Sequence, residues 1–149
     1  MVREMEELYY ELFEAAGQGR RVGEEIAAGQ GQTQSRWQTM WTIEASTALT
    51  VPQIARRLGM SRQNEQRIVT ELVDEGLAEL VANPDHKTSP LVRLTAKGAR
   101  VLDAINAAAD DSHQAIIASF PPARVEQLRQ LLRDLTAATS QAHGTTAPG

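Results

Sequence analysis

Apolar residues recur every three or four positions over most of this chain, which is the spacing of amphipathic helices. The first stripe predicts one long or broken helix, because Gly17, Gly19 and Gly23 interrupt its pattern. A turn is expected at the segment GQGQTQ, and the segment RWQTMWTIEA after it predicts a short buried helix. The residues expected to point inward from that second helix are Trp37, Met40, Trp41 and Ile43.

Two further short helices are predicted on either side of a Gly-Met-Ser turn. Thr50 is a suitable N-cap for the first of them, and Pro52 is tolerated in a first helical turn. Gly59 can adopt the left-handed conformation that ends a helix, and Ser61 is placed to cap the next one. That next helix is expected to end at Gly76 and to bury Ile68, Val69, Leu72 and Val73.

The remaining pattern predicts a hairpin and two more helices. Residues 77–82 and 91–94 are rich in Leu and Val and flank the turn formers NPDHKTSP, which indicates a β-hairpin with an exposed tip. A helix is expected from Thr95 to about Ser119, because Pro121 and Pro122 interrupt the pattern there. The last helix is expected to fray after Thr136, and it carries a coiled-coil spacing of Val125, Leu128, Leu132 and Leu135.

Composition fits a globular protein with its own core. The chain has 149 residues, of which 42% are hydrophobic, and no apolar run approaches the roughly 20 residues that cross a bilayer. The acidic, periodic N-terminus does not resemble a signal peptide, so we expect a cytoplasmic protein without a membrane partner. Cysteine is absent, which excludes disulfides and thiolate chemistry.

The charges are unevenly distributed although the net charge is −4. Residues 1–16 carry five glutamates and one arginine, whereas residues 50–70 carry four arginines and one acid, Glu65. Attraction to phosphates follows the local field rather than the net charge. The pair of short helices is therefore a candidate surface for nucleic acid.

The same two helices have the pattern of a helix-turn-helix, with Ala55 at the crossing and Gly59 in the turn. Arg pairs with guanine, and Asn or Gln pairs with adenine, in the major groove. The hairpin that follows has the position of a wing, whose tip can reach phosphates or the minor groove. An ordinary helical hairpin with a solvated polar face is the alternative. The candidate DNA-binding residues are Ser61, Arg62, Gln63, Asn64, Gln66, Arg67, Thr70, His86, Lys87 and Arg93.

The segment LTVPQIARRLGMSRQNEQRIVTELVDEGLAELVANPDHKTSPLVRLTAKG resembles the core of the MarR family of bacterial transcriptional regulators. The resemblance lies in A-x-x-L-G-x-S-R, D-E-G-L and L-T-x-K-G, and the order of parts agrees over nearly the whole chain. It implies a mainly α fold with a small β-hairpin wing, namely a winged helix-turn-helix with an all-helical dimerisation region. The corresponding boundaries are a single domain over 1–149, a DNA-binding part at 36–95, a dimerisation part at 1–30 and 96–138, and a flexible tail at 139–149.

The resemblance also implies an obligate homodimer that binds a pseudo-palindromic operator in double-stranded DNA. Many such proteins repress genes and release DNA when a small aromatic ligand binds. Trp37 and Trp41 lie four residues apart and could line a pocket for a flat ligand together with Tyr9, Tyr10 or Phe13. The alternative is that these aromatic residues only fill the core.

Two positions depart from the family pattern. Glu65 falls on the inward face of its helix, where the pattern usually has Val or a similar residue. A buried, unpaired carboxylate is costly, so Glu65 is expected either to pair with Arg56 or Arg57 or to lie at the rim of the core. The wing tip has His86-Lys87-Thr88 where two arginines are common. Both departures predict weaker DNA binding.

The sequence offers no signal for catalysis or a cofactor. It has no Gly-rich phosphate loop and no plausible Ser/His/Asp set, so we expect no enzyme activity. Asp110 and His113 share a helical face, but a metal needs three or four ligands, so no metal is expected. Two alternatives to a DNA-binding regulator stay open: a winged-helix module that binds protein with weak DNA affinity, and a ligand-binding protein without a DNA role.

Overall fold

The computed structural model describes residues 2–144, which form helices and a two-stranded antiparallel hairpin. These residues make two compact units that divide after Ala109, within the fifth helix. The expected mainly α fold class with a small hairpin is confirmed. The elements are α1 Val2–Gly29, α2 Gln34–Ser46, α3 Val51–Leu58, α4 Arg62–Asp74, β1 Ala78–Val81, β2 Leu91–Leu94, α5 Ala96–Ile117 and α6 Pro122–Ala142.

Local hydrogen bonds explain where α3 and α4 begin and end. The Thr50 hydroxyl accepts from the Gln53 backbone N–H at 3.3 Å, and the Gln53 side chain accepts from the Thr50 N–H at 2.9 Å, which is a capping box. The Ser61 hydroxyl accepts from the Asn64 N–H at 3.1 Å. Gly59 ends α3 at a φ of 64°, where a residue with a Cβ would be strained. The predicted caps and turn are therefore confirmed.

The core of the first unit combines α2, α3, α4, the hairpin and the first turns of α5. In the hairpin, Ala78 pairs with Leu94 and Val81 with Leu91, and Leu49 adds one bridge to Val92. This arrangement fixes the wing directly against the helix-turn-helix. The fully buried side chains of the core include Met40, Ile43, Ile54, Ile68, Leu72, Val92 and Ile105.

The expectation that both tryptophans of α2 point inward is wrong for Trp41, whose surface is 58% exposed. The inward face of α2 consists of Thr39, Met40, Thr42 and Ile43, and Trp41 lies on the opposite side of the helix. Trp37 is half-buried, and its indole N–H donates to the Asn106 side-chain oxygen at 2.9 Å. Only Trp37 therefore contributes to the core.

The last helix is longer than predicted. α6 continues to Ala142 rather than fraying after Thr136, because its alanines favour the helix. The residues 139–142 that were expected in a flexible tail are thus helical, while 145–149 lie outside the described residues. The predicted break at Pro121 and Pro122 is confirmed, and α5 ends at Ile117.

The start of α5 is held tightly against the end of α4. The Thr95 hydroxyl accepts from the Gly98 N–H at 3.0 Å and donates to the Gly76 carbonyl at 2.6 Å. A Cβ at position 98 would lie 1.9 Å from the Leu77 carbonyl oxygen. This close approach of two backbones requires glycine.

We expect Gly98→Ala to lower the free energy of unfolding by roughly 2–4 kcal/mol, because the backbone must move to relieve the contact with Leu77. Urea unfolding followed by circular dichroism measures this. Gly19→Ala is the matched control, since its Cβ would meet nothing within 4 Å and should stabilise α1 by roughly 0.5–1 kcal/mol. An unchanged urea midpoint for Gly98→Ala would contradict the close approach.

Candidate nucleic-acid interface

The crossing of α3 and α4 forms the helix-turn-helix that the sequence predicted. Ala55 and Ile54 of α3 are buried, and so are Ile68 and Val69 of α4. With this face of α4 committed to the core, the opposite face must point outward. The exposed residues on it are Arg62, Gln63, Gln66, Arg67 and Thr70, and Asn64 is half-buried beside them.

Hydrogen bonds within α4 pre-order part of this outward face. Arg67 donates to the Glu71 carboxylate at 2.7 Å and to the Asn64 side-chain oxygen at 3.0 Å. Gln66 donates its side-chain amide to the Thr70 hydroxyl at 3.3 Å, and that hydroxyl donates to the Gln66 carbonyl at 2.8 Å. A DNA ligand would therefore meet side chains that are partly fixed by their neighbours.

Arg62 and Ser61 differ from these residues. Arg62 is exposed and forms no ion pair within residues 2–144, so its guanidinium is available to a ligand. The Ser61 oxygen caps α4, which leaves its hydroxyl hydrogen as the group that can contact DNA. Both residues lie at the N-terminal end of α4.

A cleft of about 390 Å³ separates the beginning of α4 from the wing. The residues that α4 contributes to it are polar, whereas α3 contributes Val51 and Pro52 and the wing contributes the exposed side chain of Leu80. Leu80 was not predicted as a site residue, because an exposed Leu on a strand cannot be distinguished from a core residue by pattern alone. The cleft is lined by Val51, Pro52, Arg62, Gln63, Gln66, Leu80, Thr88, Ser89 and Pro90.

Asn83 organises the turn of the wing. Its side-chain amide donates to the Ser89 carbonyl at 2.9 Å, and its side-chain oxygen accepts from the Asp85 N–H at 3.1 Å. The predicted tip residues His86 and Lys87 are both exposed beyond this turn. Sequence reasoning did not identify Asn83, whose type is common in turns and gives no sign of its two partners.

Arg93 lies on β2 rather than at the tip of the wing. It donates to the Glu79 carboxylate of β1 at 2.6 Å, and both side chains are about half exposed. This cross-strand ion pair partly neutralises the charge of Arg93. Among the predicted contacts, Arg67 and Arg93 thus have charges that are already engaged by a carboxylate, Glu71 of α4 and Glu79 of the wing.

Glu65 has neither of the two environments expected from the sequence, which were an ion pair with an arginine of α3 and a place at the rim of the core. Its side chain is fully buried, and its Oε1 accepts from the Thr39 hydroxyl of α2 at 2.7 Å. It pairs with neither arginine proposed for it, and Arg57 instead donates to Ser46. The Glu65 Oε2 atom is buried without a hydrogen-bond partner in the described residues. Burial raises the pKa of this carboxyl, and the Thr39 hydrogen bond opposes that effect only in part.

An ion pair holds the C-terminal end of α4. Arg36 of α2 donates to both carboxylate oxygens of Glu75, and its side chain is only 13% exposed. The hydrogen bond and charge of Arg36 lower the pKa of Glu75 below its usual value. Lys97 of α5 donates to the Glu75 carbonyl at 3.0 Å. Both ends of α4 are thus tied to neighbouring helices of the first unit.

The predicted aromatic ligand residues are not all brought together. Tyr9 and Phe13 contact each other on α1, with ring centroids 6.0 Å apart. The Trp37 side chain is hydrogen-bonded to Asn106, whereas Trp41 and Tyr10 are exposed. The structure therefore shows one aromatic pair on α1 and two separate tryptophans on α2.

Within residues 2–144, no three His, Asp or Glu side chains are grouped closely enough to hold a metal ion. Asp110 and His113, which share a face of α5, are both exposed.

Every helix within residues 2–144 is too short or too polar to span a membrane.

A helix-turn-helix followed directly by a hairpin defines the winged helix-turn-helix class. The model of the MarR family matches residues 30–87 of this chain. Protein Rv2011c of Mycobacterium tuberculosis (strain ATCC 25618 / H37Rv) is 46% identical over 138 residues, which cover 93% of this chain and 96% of that protein. Protein Mb2034c of Mycobacterium bovis matches with the same values. The chain belongs to the MarR family, which consists of transcriptional regulators rather than enzymes.

Solved structures share this fold. A MarR-family regulator from Rhodococcus sp. RHA1 superposes with a TM-score of 0.78 at 18% identity, covering 88% of this chain and 94% of that one. A variant of MarR from E. coli complexed with operator DNA gives a TM-score of 0.71 at 23% identity, with coverages of 84% and 91%. At these identities the likeness concerns the fold alone.

The buried carboxyl of Glu65 predicts a pH-dependent stability. Because its pKa is raised from about 4.5, the folded protein binds this proton more tightly than the unfolded chain does. The resulting stabilisation is complete below the unfolded-state pKa and is lost as the pH rises through the folded-state pKa. Relative to Glu65→Gln, the wild-type free energy of unfolding should therefore fall as the pH rises above about 4.5.

Urea unfolding at a series of pH values measures this difference. Glu11→Gln, which changes an exposed carboxylate on α1, controls for the loss of one negative charge. Parallel curves for wild type and Glu65→Gln across the whole pH range would show that Glu65 titrates alike in the folded and unfolded states.

Proposed function

We propose that the chain is a homodimeric, sequence-specific DNA-binding regulator that represses transcription. The observation that carries this proposal is the outward face of α4, where Arg62, Gln63 and Gln66 stand beside the wing across an open cleft. The proposal assigns α4 to the major groove, where Arg can pair with guanine and Gln with adenine. Arg67, Thr70 and the Ser61 hydroxyl are further contacts of the same helix.

The wing supplies the second part of the proposed interface. His86 and Lys87 are exposed at its tip, where a side chain can reach phosphates or the minor groove. Arg93 contributes less in this proposal, because Glu79 already pairs with it. Phosphate contacts fix the register of the protein, and the contacts of α4 with base edges specify the sequence.

The burial of Glu65 favours DNA binding over the alternative of a protein-binding module. An exposed carboxylate on α4 would repel phosphates, and that repulsion was one reason for expecting weak DNA affinity. Its side chain is instead fully buried against Thr39, so the outward face of α4 is not acidic at this position. The solved complex of a MarR variant with operator DNA supports the same assignment.

Exposed apolar side chains support the homodimer. On α1 they include Leu8 and Phe13, and on α6 they include Leu128, Leu131 and Leu132. Apolar surface of this kind commonly marks a protein interface. In the proposal a second copy covers each of these faces. A two-fold dimer would then bind a pseudo-palindrome whose half-sites lie about one helical turn apart.

Release of DNA by a small aromatic ligand and a cytoplasmic location complete the proposal. The paired rings of Tyr9 and Phe13 on α1, and the exposed indole of Trp41 on α2, are the candidate contacts for such a ligand. Aromatic side chains suit flat apolar ligands because they offer large rigid surfaces. Quenching of tryptophan fluorescence is the direct readout of ligand binding.

Binding to the intergenic DNA beside the protein's own gene should be tight and salt-dependent. We expect it to exceed binding to scrambled DNA by about a thousandfold. The double variant Arg62→Ala/Arg67→Ala should lose affinity and preference for the operator, because these arginines contact base edges in the proposal. Lys87→Ala, which removes a phosphate contact of the wing, should instead reduce the slope of log K against log salt by about 0.9. Fluorescence anisotropy at several salt concentrations measures both quantities.

The control is Arg20→Ala/Arg21→Ala, which removes two exposed arginines of α1 and should preserve the slope. If the α4 variant binds DNA as well as wild type does, α4 is not the recognition helix. Weak binding with equal affinity for both DNAs would instead favour the protein-binding alternative. Aromatic-ligand binding that leaves DNA affinity unchanged would favour the other alternative, a ligand-binding protein without a DNA role.

The homodimer should dissociate when charge is introduced into the apolar face of α6. We expect Leu128→Glu/Leu132→Glu to sediment as a monomer at micromolar concentration, because burying unpaired carboxylates is costly. Analytical ultracentrifugation measures the mass, and circular dichroism verifies that the helices persist. Gln127→Glu adds a carboxylate on the neighbouring exposed position and should stay dimeric. A dimeric double variant would exclude this face as the interface.

A further inference from the structure

One fully buried polar contact joins α2 to the first turn of α4, far along the helix from the Arg36–Glu75 pair at its C-terminal end. The Thr39 hydroxyl on α2 donates to Glu65 Oε1 on α4 at 2.7 Å, and both side chains are fully buried. The other buried residues of α2 are Met40, Thr42 and Ile43, and those of α4 are all apolar, namely Ile68, Val69 and Leu72. The second carboxyl oxygen of Glu65 has no hydrogen-bond partner in the described residues.

Fold stability alone does not account for this pair. Burying a carboxyl with only one of its two oxygens bonded is unfavourable, and an apolar side chain of similar size is often neutral or stabilising in its place. A buried polar contact can instead select one packing arrangement, because every other arrangement leaves its groups unpaired. The pair therefore fits a role in geometry better than a role in stability.

The location of Glu65 makes such a role consequential. Glu65 lies in the first turn of α4, between Arg62 and Gln66, which both face the cleft. Turning α4 by about 20° would move an atom about 5 Å from the helix axis by about 2 Å. A shift of that size would break the bond to Thr39, and it would also break a hydrogen bond to a base edge.

We propose that the Thr39–Glu65 pair is a positioning contact that fixes the rotation of α4 about its axis and thereby sets DNA sequence specificity. Neither residue touches DNA in this proposal, and each acts through Arg62, Gln63 and Gln66. The inference rests on the proposed DNA-binding function. It adds that part of the specificity is encoded on the buried face of the recognition helix.

The test replaces the pair by apolar side chains of similar size in the full-length protein, as Thr39→Val/Glu65→Met. The quantity to measure is the ratio of affinities for operator DNA and scrambled DNA, with urea unfolding in parallel. A loss of folded protein lowers both affinities equally and leaves the ratio unchanged. We expect unfolding at an equal or higher urea concentration, and a ratio reduced at least tenfold.

Two further variants make the result specific. Glu65→Gln keeps an acceptor for the Thr39 hydroxyl and should retain the wild-type ratio within about threefold. Thr42→Val is the matched control, because Thr42 is also buried on α2 but donates only to the Gln38 carbonyl of its own helix, at 2.7 Å. It should leave the ratio unchanged. If the double variant does not fold, Thr39→Val alone removes the donor without a change of volume and is expected to reduce the ratio.

A folded double variant that keeps the wild-type ratio would overturn the positioning role while leaving the DNA-binding function intact. An equal loss in Thr42→Val would also overturn it, because the effect would then belong to α2 in general. If the wild-type protein itself does not prefer operator DNA over scrambled DNA, the proposed function fails and the inference fails with it. These three outcomes are distinguishable in one set of titrations.

Discussion

The burial of one face of α4 is the constraint on which the rest of the structure depends. Ile68, Val69 and Leu72 are almost completely removed from solvent. Because side chains along a helix advance by about 100° per residue, that burial forces Arg62 and Gln66 to the outside. The candidate interface with nucleic acid is thus a consequence of core packing.

Polar contacts then fix what apolar packing leaves adjustable. The Arg36–Glu75 pair and the contacts of Thr95 and Lys97 hold the C-terminal end of α4, and Ser61 and the Thr39–Glu65 pair hold its N-terminal turn. Apolar side chains tolerate small rotations at little cost, whereas a hydrogen bond does not. A helix whose outer side chains must meet a ligand at defined positions therefore needs hydrogen bonds to its neighbours.

The burial of Glu65 also changes what the negative net charge means for DNA binding. The acidic residues of α1 are exposed, whereas the single carboxylate among residues 50–70 is buried with Thr39. The exposed charge of that segment is therefore carried by arginines, of which Arg67 is paired with Glu71. The net charge of −4 does not describe the surface that a DNA molecule would meet.

The sequence by itself determined the features that depend on local chemistry. The caps at Thr50 and Ser61, the left-handed turn at Gly59, the break at Pro121 and the hairpin all follow from residues within a few positions of one another. The exposed face of α4 was predictable too, because helical periodicity assigns it.

Only the tertiary structure decided the contacts between distant segments. Thr39 and Glu65 are 26 residues apart, and Arg36 and Glu75 are 39 apart, so no local pattern could pair them. The exposure of Trp41 and the close approach of Gly98 to Leu77 were decided in the same way. Periodicity predicts that a side chain lies on one face of a helix, but which partner covers that face depends on how the helices pack.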